Sequence, residues 1–231
     1  MTSGQHSSAN DEIDLVELIQ ALWRQRLLIA LFTVVSTLAA LGYSYAVTPT
    51  YSSQAEIAPA SINSFGTLAG ALNSQRSNQD ESAFSSGVRL ANDAFDVLVT
   101  NLNSQIVRRD FDATNPAYRQ VAFQVTRGRQ AADPVSLIAT GTEPELSKAF
   151  IDAYLAYVTA ATVVQINEFL TGMGVTEEAS VLYRLEQSAT VPSRPIKPKR
   201  ALIIALGFIL GGMSGVFIGL IRSMFAKRIG K

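Results

Sequence analysis

Residues 27–47 read LLIALFTVVSTLAALGYSYAV, and residues 201–221 read ALIIALGFILGGMSGVFIGLI. Each stretch contains 21 residues and no charged side chain. At the rise of an α-helix this length is about 31 Å, which matches the hydrocarbon core of a bilayer. We therefore predict two transmembrane helices. They enclose residues 48–200, a stretch long enough for one folded domain.

The first apolar segment has an alternative interpretation as a cleaved signal peptide, because it is N-terminal and follows positive charge. Its length argues against cleavage, since the apolar region of a signal peptide runs for about 7 to 15 residues. We therefore expect a retained membrane anchor.

Basic residues orient this anchor. Arg24 and Arg26 lie at its start, whereas the first basic residue after it is Arg76. The positive-inside rule then places the N-terminus in the cytoplasm, and a second span returns the C-terminus there. The second segment has basic residues on both sides and does not decide the orientation. The predicted order is a cytoplasmic leader (1–26), a transmembrane helix (27–47), a periplasmic domain (48–200), a second transmembrane helix (201–221) and a cytoplasmic tail (222–231).

The leader contains an amphipathic pattern over residues 11–23, with acidic residues in the first turn and apolar residues at positions 15, 18, 19 and 22. A helix there would lie along the membrane, extend the first span or bind a cytoplasmic partner. Periodicity does not separate these three arrangements.

Composition excludes several functional classes. The enclosed domain holds 13 Lys and Arg against 15 Asp and Glu, so it lacks the basic excess that nucleic-acid binding needs. Cysteine is absent, and the single histidine, His6, lies in the leader. The domain therefore has no residues for a Cys/His zinc site or a His-based triad, and we expect no metal and no cofactor.

Carboxylate spacing argues against hydrolysis. A glycosidase needs two carboxylates that face each other across a cleft. The close acidic sets adjoin predicted loops or a helix start: Asp80 with Glu81, Glu143 with Glu145, and Glu177 with Glu178. The chain also lacks a Gly-rich phosphate loop with its lysine, so we predict that it is neither a kinase nor any other enzyme.

Hydrophobic periodicity predicts an α+β domain with a mixed sheet of about four strands and two major helices. Alternating apolar residues place strands at 51–57, 120–127, 135–140 and 179–187. An apolar stripe that includes Phe95 and Ile106 predicts one helix over 81–110. The Ser/Asn/Gly/Gln-rich residues 61–79 read as a loop with a weak apolar patch at 65–72.

A second major helix is predicted over residues 143–172. Thr142 and Glu145 form a capping box around Pro144, and Gly172 and Gly174 form a stop. Its apolar residues make two stripes, which fits either burial in one core or packing against a second protomer. Phe150 and Tyr157 are the candidate protomer contacts.

Proline and basic residues join the domain to the second span. Pro192, Pro195 and Pro198 cannot join a helix or a sheet interior, so residues 189–200 are predicted to form an extended strut. Lys199 and Arg200 follow, and we expect them to meet lipid headgroups.

Glycine recurs every four residues within the second span, at Gly207, Gly211, Gly215 and Gly219. Small residues at this spacing line one face that another helix can approach closely. Glycine is also common in membrane helices generally, so the alternative is that the spacing has no partner. We favour helix–helix contact and expect it to contribute to oligomerisation.

The ordered combination of these features resembles the Wzz family of lipopolysaccharide O-antigen chain-length determinants, also called polysaccharide co-polymerases. The resemblance rests on the leader motif EIDLVELI at 12–19, the strand at Tyr51, the start of the major helix at 140–157, and above all residues 192–200 followed by LGGMSG at 210–215. It covers both membrane ends and the adjoining part of the domain.

The resemblance implies a ring-like homo-oligomer in the bacterial inner membrane with an α/β periplasmic domain. Such proteins act with a membrane O-antigen polymerase, on a polysaccharide or lipid-linked glycan, and perform no chemistry themselves. Family members usually extend the major helix into a long stalk, whereas Gly172 to Gly174 end it here after about 30 residues.

Two alternatives remain open. One is a membrane adaptor of a capsule or exopolysaccharide export system whose kinase is a separate chain. The other is a two-span sensor or transporter accessory subunit whose periplasmic domain binds a small ligand.

Overall fold

The computed structural model of the chain describes residues 20, 22–75, 83–128 and 133–229. It divides into a terminal unit, made of residues up to 48 and from 198 onward, and a central unit over residues 49–197. The leader helix predicted over 11–23 lies outside the described residues except at its end.

A four-stranded sheet organises the central unit. Every strand pairing in it is antiparallel. The predicted α+β class with about four strands is confirmed, although the sheet is antiparallel throughout instead of mixed. In the order β2-β3-β1-β4, its strands are β1 (Tyr51–Pro59), β2 (Ala122–Arg127), β3 (Val135–Gly141) and β4 (Tyr183–Gln187).

The alternation of side chains gives this sheet one buried face. In β3, Val135, Leu137 and Ala139 are fully buried, and they lie opposite Ile57, Ala55 and Ser53 of β1. Because side chains alternate across a strand, these three pairs share one face and fix the register of the two strands.

The last strand begins later than the sequence pattern predicted, at Tyr183 instead of Ala179. The side-chain amide of Asn167 accepts a hydrogen bond from the Ala179 N–H at 2.8 Å and donates one to the Ala179 carbonyl at 3.2 Å. Both backbone groups of Ala179 are therefore bound to a helix and are not available to a strand.

The segment predicted as a loop is helical. A 3-10 helix (Ile62–Phe65) leads into α1 (Gly66–Gln75), and residues 76–79 lie outside the described part of the chain. Phe65, Leu68 and Ala69 are buried in the core. The loop prediction was wrong because the abundant Ser, Asn and Gly residues outweighed this short apolar spacing.

The helix predicted over 81–110 is two helices, α2 (Ala83–Leu102) and α3 (Gln105–Thr114). Ser104 between them has extended backbone angles, and its hydroxyl accepts a hydrogen bond from the Val107 N–H. This N-cap starts a new helix axis. The stripe therefore does not continue through Ile106, which is 64% exposed.

The longest helix of the central unit is α4 (Pro144–Gly172), and its predicted end is confirmed. Gly174 has a φ of 79°, the Val175 N–H binds the Leu170 carbonyl, and the Gly174 N–H binds the Thr171 carbonyl. These bonds form a Schellman motif. The predicted capping box is wrong, because the N-cap residue is Glu143 and its side chain makes no capping bond.

Helix α4 packs on the buried face of the sheet against β1 and β3, and α2 packs beside it. Strands β3 and β4 both run antiparallel to β1, which lies between them. Helix α4 therefore carries the chain from β3 to β4 across the central strand and covers the core.

The terminal unit contains α5 (Arg26–Ala46) and α6 (Arg200–Ile229), which pack along each other. Helix α5 precedes β1 in the chain, and α6 follows β4. Both are long and apolar enough to cross a membrane, as α4 is too. Helix α4 buries Phe150, Tyr154 and Val158 completely, so we assign it to the core and regard α5 and α6 as the candidate spans.

Candidate interaction surfaces

The glycine face of α6, defined as Gly207, Gly211, Gly215 and Gly219, lies against α5. A Cβ atom added to Gly211 would lie 2.9 Å from the Thr33 Cα, and one added to Gly215 would lie 2.9 Å from the Ile29 Cα. These separations are too short for real side chains, so the glycines allow direct backbone contact.

Polar groups fix the register of this contact. The Ser36 hydroxyl donates a 3.0 Å hydrogen bond to the Gly207 carbonyl. A Cβ on Gly207 would meet the Ala40 Cβ, and one on Gly219 would lie 3.1 Å from the Gln25 Oε1. The face is therefore in contact with α5 along its whole length.

This geometry revises the role expected for the glycine face. The helix–helix contact favoured from the sequence is confirmed, but the helix in contact is α5 of the same chain and not one of a second protomer. The remaining surfaces of both helices are apolar and exposed, and they include Leu31, Leu38, Leu206, Phe208, Met213 and Phe217.

A cation–π contact lies at one end of the helix pair. The Arg200 guanidinium carbon lies 4.5 Å from the centre of the Tyr45 ring. A basic residue beside an aromatic ring is typical of a membrane–water interface. Lys199, the other basic residue predicted to meet lipid, is exposed.

The proline segment, residues 189–199, forms neither a helix nor a strand of the sheet. The Thr50 N–H donates to the Lys197 carbonyl at 3.0 Å, and the Ile196 N–H donates to the Thr50 carbonyl at 2.8 Å. Pro192 and Pro198 are partly exposed and Pro195 is exposed. The strut is thus held to the start of β1 by backbone hydrogen bonds, at positions where proline's missing N–H is not needed.

Phe150 and Tyr157 of α4 were both expected to contact a second protomer. Phe150 is fully buried and stacks with Tyr154, with ring centroids 5.3 Å apart. A second protomer cannot reach it, so that expectation is corrected for Phe150. Tyr157 is 37% exposed and touches the Phe111 ring, so it remains accessible.

An apolar groove of about 610 Å³ lies between α1, α2 and the end of α4. Phe169 is 66% exposed and Met173 is 43% exposed at its edge. Sequence reasoning missed this surface because its α1 side was read as a loop. The groove is lined by Phe65, Leu68, Leu72, Leu90, Asp93, Ala94, Val97, Ile166, Phe169, Leu170 and Met173.

A partly buried arginine was also missed. The Arg108 guanidinium lies 4.3 Å from the centre of the Phe150 ring and donates to Asp112 at 2.8 Å. It also donates to the carbonyls of Tyr118 and Val121. Its spacing of four residues from Asp112 was the available signal, but one continuous helix would have placed it on a solvent face.

Burial raises the pKa of Tyr154 to about 12, although the nearby positive charge of Arg108 lowers it in part. The hydroxyl donates to the Leu102 carbonyl at 3.3 Å. Burial also raises the pKa of Tyr183. Tyr154 lies in the core and Tyr183 packs against it, so their raised pKa values reflect packing.

The acidic sets do not form a site within the described chain. Among residues 20, 22–75, 83–128 and 133–229, no three His, Cys, Asp or Glu side chains lie together as metal ligands would. Glu143 and Glu145 lie at the start of α4, and Glu177 and Glu178 lie in the segment between α4 and β4.

Comparison with known families gives two matches. Residues 11–111 match the Wzz model, described as chain length determinant protein. Residues 183–224 match the GNVR model, described as a G-rich domain on putative tyrosine kinase. The second match covers β4, the proline segment and the glycine face. None of the curated proteins compared with the chain matches its sequence.

Solved structures align with the chain to different extents. A full-length bacterial polysaccharide co-polymerase aligns with a TM-score of 0.65 and 14% identity, over 94% of this chain and 100% of that one. A fragment of the Salmonella Typhimurium polysaccharide co-polymerase WzzB has a TM-score of 0.47 and 13% identity, over 64% and 100% of the two chains. A mutant of a Shigella flexneri lipopolysaccharide O-antigen chain-length regulator aligns with a TM-score of 0.39 and 12% identity, over 53% of this chain and 50% of that one.

The alignment with the full-length co-polymerase shows the fold. The sequence matches cover the first apolar helix with the first half of the central unit, and then the last strand with the second apolar helix. Over residues 11–111 the chain matches the Wzz family of chain length determinant proteins, and over most of its length it shares the fold of a bacterial polysaccharide co-polymerase.

Proposed function

We propose that this chain is a homo-oligomeric scaffold of the bacterial inner membrane that sets the modal length of lipopolysaccharide O-antigen by modulating the membrane polymerase. The observation that carries the proposal is the chain length determinant match over residues 11–111. Helices α5 and α6, at either end of the central unit in the sequence, supply two anchors of suitable length.

The proposed topology has both termini in the cytoplasm and residues 48–200 in the periplasm. Arg24 and Arg26 at the start of α5 support it through the positive-inside rule. Single cysteines can test it because the chain has none of its own. An impermeant thiol reagent should label Ser188→Cys in whole cells, whereas labelling of Ser8→Cys or Ser223→Cys would contradict the topology.

The proposed contact between protomers is the apolar groove. Phe169 and Met173 expose apolar surface beside a cavity that the central unit leaves open. A second copy of the same surface would remove it from water. The glycine face is not proposed for this role, because α5 already occupies it.

The polymerase contact is proposed to lie on the outer apolar surface of the paired helices. Leu206, Phe208 and Phe217 of α6 and Leu31 of α5 are each more than half exposed. In the membrane such side chains contact either lipid or another membrane protein.

Deleting the gene and resolving the lipopolysaccharide on a gel tests the proposal. We expect the modal cluster of O-antigen lengths to disappear and to return when the gene is supplied on a plasmid. A ladder that is unchanged by the deletion would refute the proposed function.

A second candidate is a membrane adaptor of capsule or exopolysaccharide export. The GNVR match over residues 183–224 favours it, because the description of that domain refers to putative tyrosine kinases. In this case the deletion would leave the O-antigen ladder intact and reduce exported capsule, which can be measured as uronic acid or total sugar at the cell surface.

A further inference from the structure

A second groove, here called the arginine groove, lies at the open edge of the sheet. It has a volume of about 840 Å³ and is bounded by β2 and α3. Strand β2 is an edge strand that pairs only with β3 within the described sheet. Ligand sites typically occupy about 300 to 1,000 Å³, so the space is large enough for a small ligand or a segment of a polymer.

Positive charge predominates in this groove. Arg108, Arg109 and Arg119 line it together with one carboxylate, that of Asp112. The chain as a whole has 19 basic and 19 acidic residues, so this excess is local. Fixed guanidinium groups in a concave surface attract an anion.

The three arginines differ in availability. Arg108 is bound to Asp112 and to two backbone carbonyls, so it acts as a fixed charge in the wall. Arg119 uses its Nε for the Asp112 carbonyl, which leaves its terminal nitrogens. Arg109 is 77% exposed, and its 3.3 Å contact with Asp110 is a weak surface pair. Arg109 and Arg119 can therefore turn toward a ligand.

The rest of the groove has an apolar floor and side-chain amides at its rim. Phe123 and Val125 are partly buried and supply the apolar surface, and Gln105 and Gln124 are exposed beside them. The Asp112 Oδ1 is buried without a hydrogen-bond partner among the described residues. The exposed amides suit a ligand that has several hydroxyl groups.

We propose that the arginine groove binds an acidic segment of the polysaccharide, with a sugar carboxylate held by Arg109 and Arg119. Guanidinium groups bind carboxylates through paired, charge-assisted hydrogen bonds. The apolar faces of a sugar ring pack on Phe123, while the two glutamine amides bind its hydroxyl groups. The choice of a glycan as ligand rests on the proposed function.

Calorimetric titration of the full-length protein in detergent tests this site. The probes are tetragalacturonate, which carries carboxylates, and maltotetraose, a neutral oligosaccharide with the same number of rings. We expect saturable binding of tetragalacturonate at least about tenfold tighter than of maltotetraose, from the loss of charge-assisted hydrogen bonds. Binding should weaken as salt is raised, because the groups are exposed.

Two variants assign the binding to the groove. Arg109→Gln with Arg119→Gln should raise the Kd for tetragalacturonate by about tenfold or more. Arg184→Gln removes an exposed arginine of β4, which is at the other edge of the sheet, and should leave the Kd unchanged. Thermal unfolding of each variant shows whether the fold is retained.

Three results would overturn the proposal: no saturable binding of tetragalacturonate, equal binding of maltotetraose, or equal loss of affinity in the Arg184 variant. Inorganic phosphate that competes at the same concentration as tetragalacturonate would also overturn it in favour of a simple anion site. The O-antigen ladder of the deletion strain is a separate readout, so failure of this site and failure of the proposed function are distinguishable.

Discussion

The glycine face of α6 and the apolar groove are both surfaces suited to a partner, but only one of them is filled. Gly211 and Gly215 bring α6 into backbone contact with α5 of the same chain. The groove leaves Phe169 and Met173 exposed. A small-residue pattern thus shows that a contact exists without showing whether its partner is in the same chain, whereas unmatched apolar area indicates a partner outside it.

The largest effect on the free energy of unfolding is expected on the side of α4 that faces the core of the central unit. Phe150→Ala should lower the free energy of unfolding by about 4 kcal/mol, because it leaves a cavity beneath the ring cluster and removes the surface on which Arg108 stacks. Thermal unfolding of the full chain in detergent should show a Tm about 10 °C lower.

The matched control is Val164→Ala on the exposed side of the same helix, where the side chain is 56% exposed. This change should stay within about 0.5 kcal/mol of wild type. Equal losses at both positions would mean that the two sides of α4 are not distinguished by burial.

Gly211→Leu should disrupt the contact between the glycine face and α5. The new side chain would meet the Thr33 backbone and Ser36, so we expect the helix pair to lose about 3 kcal/mol and the variant to fail to restore the O-antigen ladder. Gly212→Leu is the control, because the nearest atom to a Cβ there is the Thr33 Oγ1 at 3.8 Å. If the Gly212 variant were equally defective, helix contact would not be the cause.

Raising the pH tests the burial of Tyr154 on the core side of α4 without a substitution that would leave a cavity. The pKa of Tyr154 is about 12 in the folded chain and about 10 when unfolded, so its neutral form stabilises the fold fully below pH 10. Between pH 10 and pH 12 the unfolded chain loses its proton first, and about 2 to 3 kcal/mol is lost.

Tyr154→Phe should flatten part of this alkaline decline and leave the contribution of Tyr183, whose pKa is also raised. At neutral pH the variant should lose only about 1 kcal/mol, for the bond to the Leu102 carbonyl. Denaturant unfolding at pH 7 and at pH 11 measures both effects. An unchanged alkaline slope would contradict the assignment to Tyr154.

The smallest effect on the free energy of unfolding is expected at the apolar groove. Phe169→Gln should change the free energy of unfolding by less than about 0.5 kcal/mol, because the ring is exposed in a single chain. If protomers meet there, it should nevertheless reduce the mass of the detergent-solubilised oligomer measured by light scattering. Its exposed neighbour Glu168→Gln is the control, and an oligomer that resists Phe169→Gln would exclude this surface.

Much of the fold could be predicted from the sequence because its signals are local. The alternation of side chains in β3 specifies a strand, and Gly174 after α4 specifies a helix end. Both signals depend only on residues close in the sequence. Ser104 was missed because a serine inside an amphipathic stripe looks like a polar surface residue until its hydroxyl is seen to cap the next helix. The single turn that it inserts redirects Ile106 to solvent.

The candidate surfaces were harder to predict, because burial depends on distant elements. Phe150 and Tyr157 belong to the same apolar stripe and both contact the Phe111 ring. Of the two, only Phe150 also contacts the Tyr118 ring and the Arg108 guanidinium. The arginine groove likewise requires α3 and β2, which are separate in the sequence, to come together. A helical pattern gives the direction of a side chain but not what lies opposite it.

The pairing of Thr50 with Lys197 joins the entry and the exit of the central unit by backbone hydrogen bonds. A domain whose two ends meet can be inserted between two other segments of a chain. Its size can change without changing the distance between the two points of attachment. Relatives could therefore diversify this part of the protein while a common membrane anchor is retained.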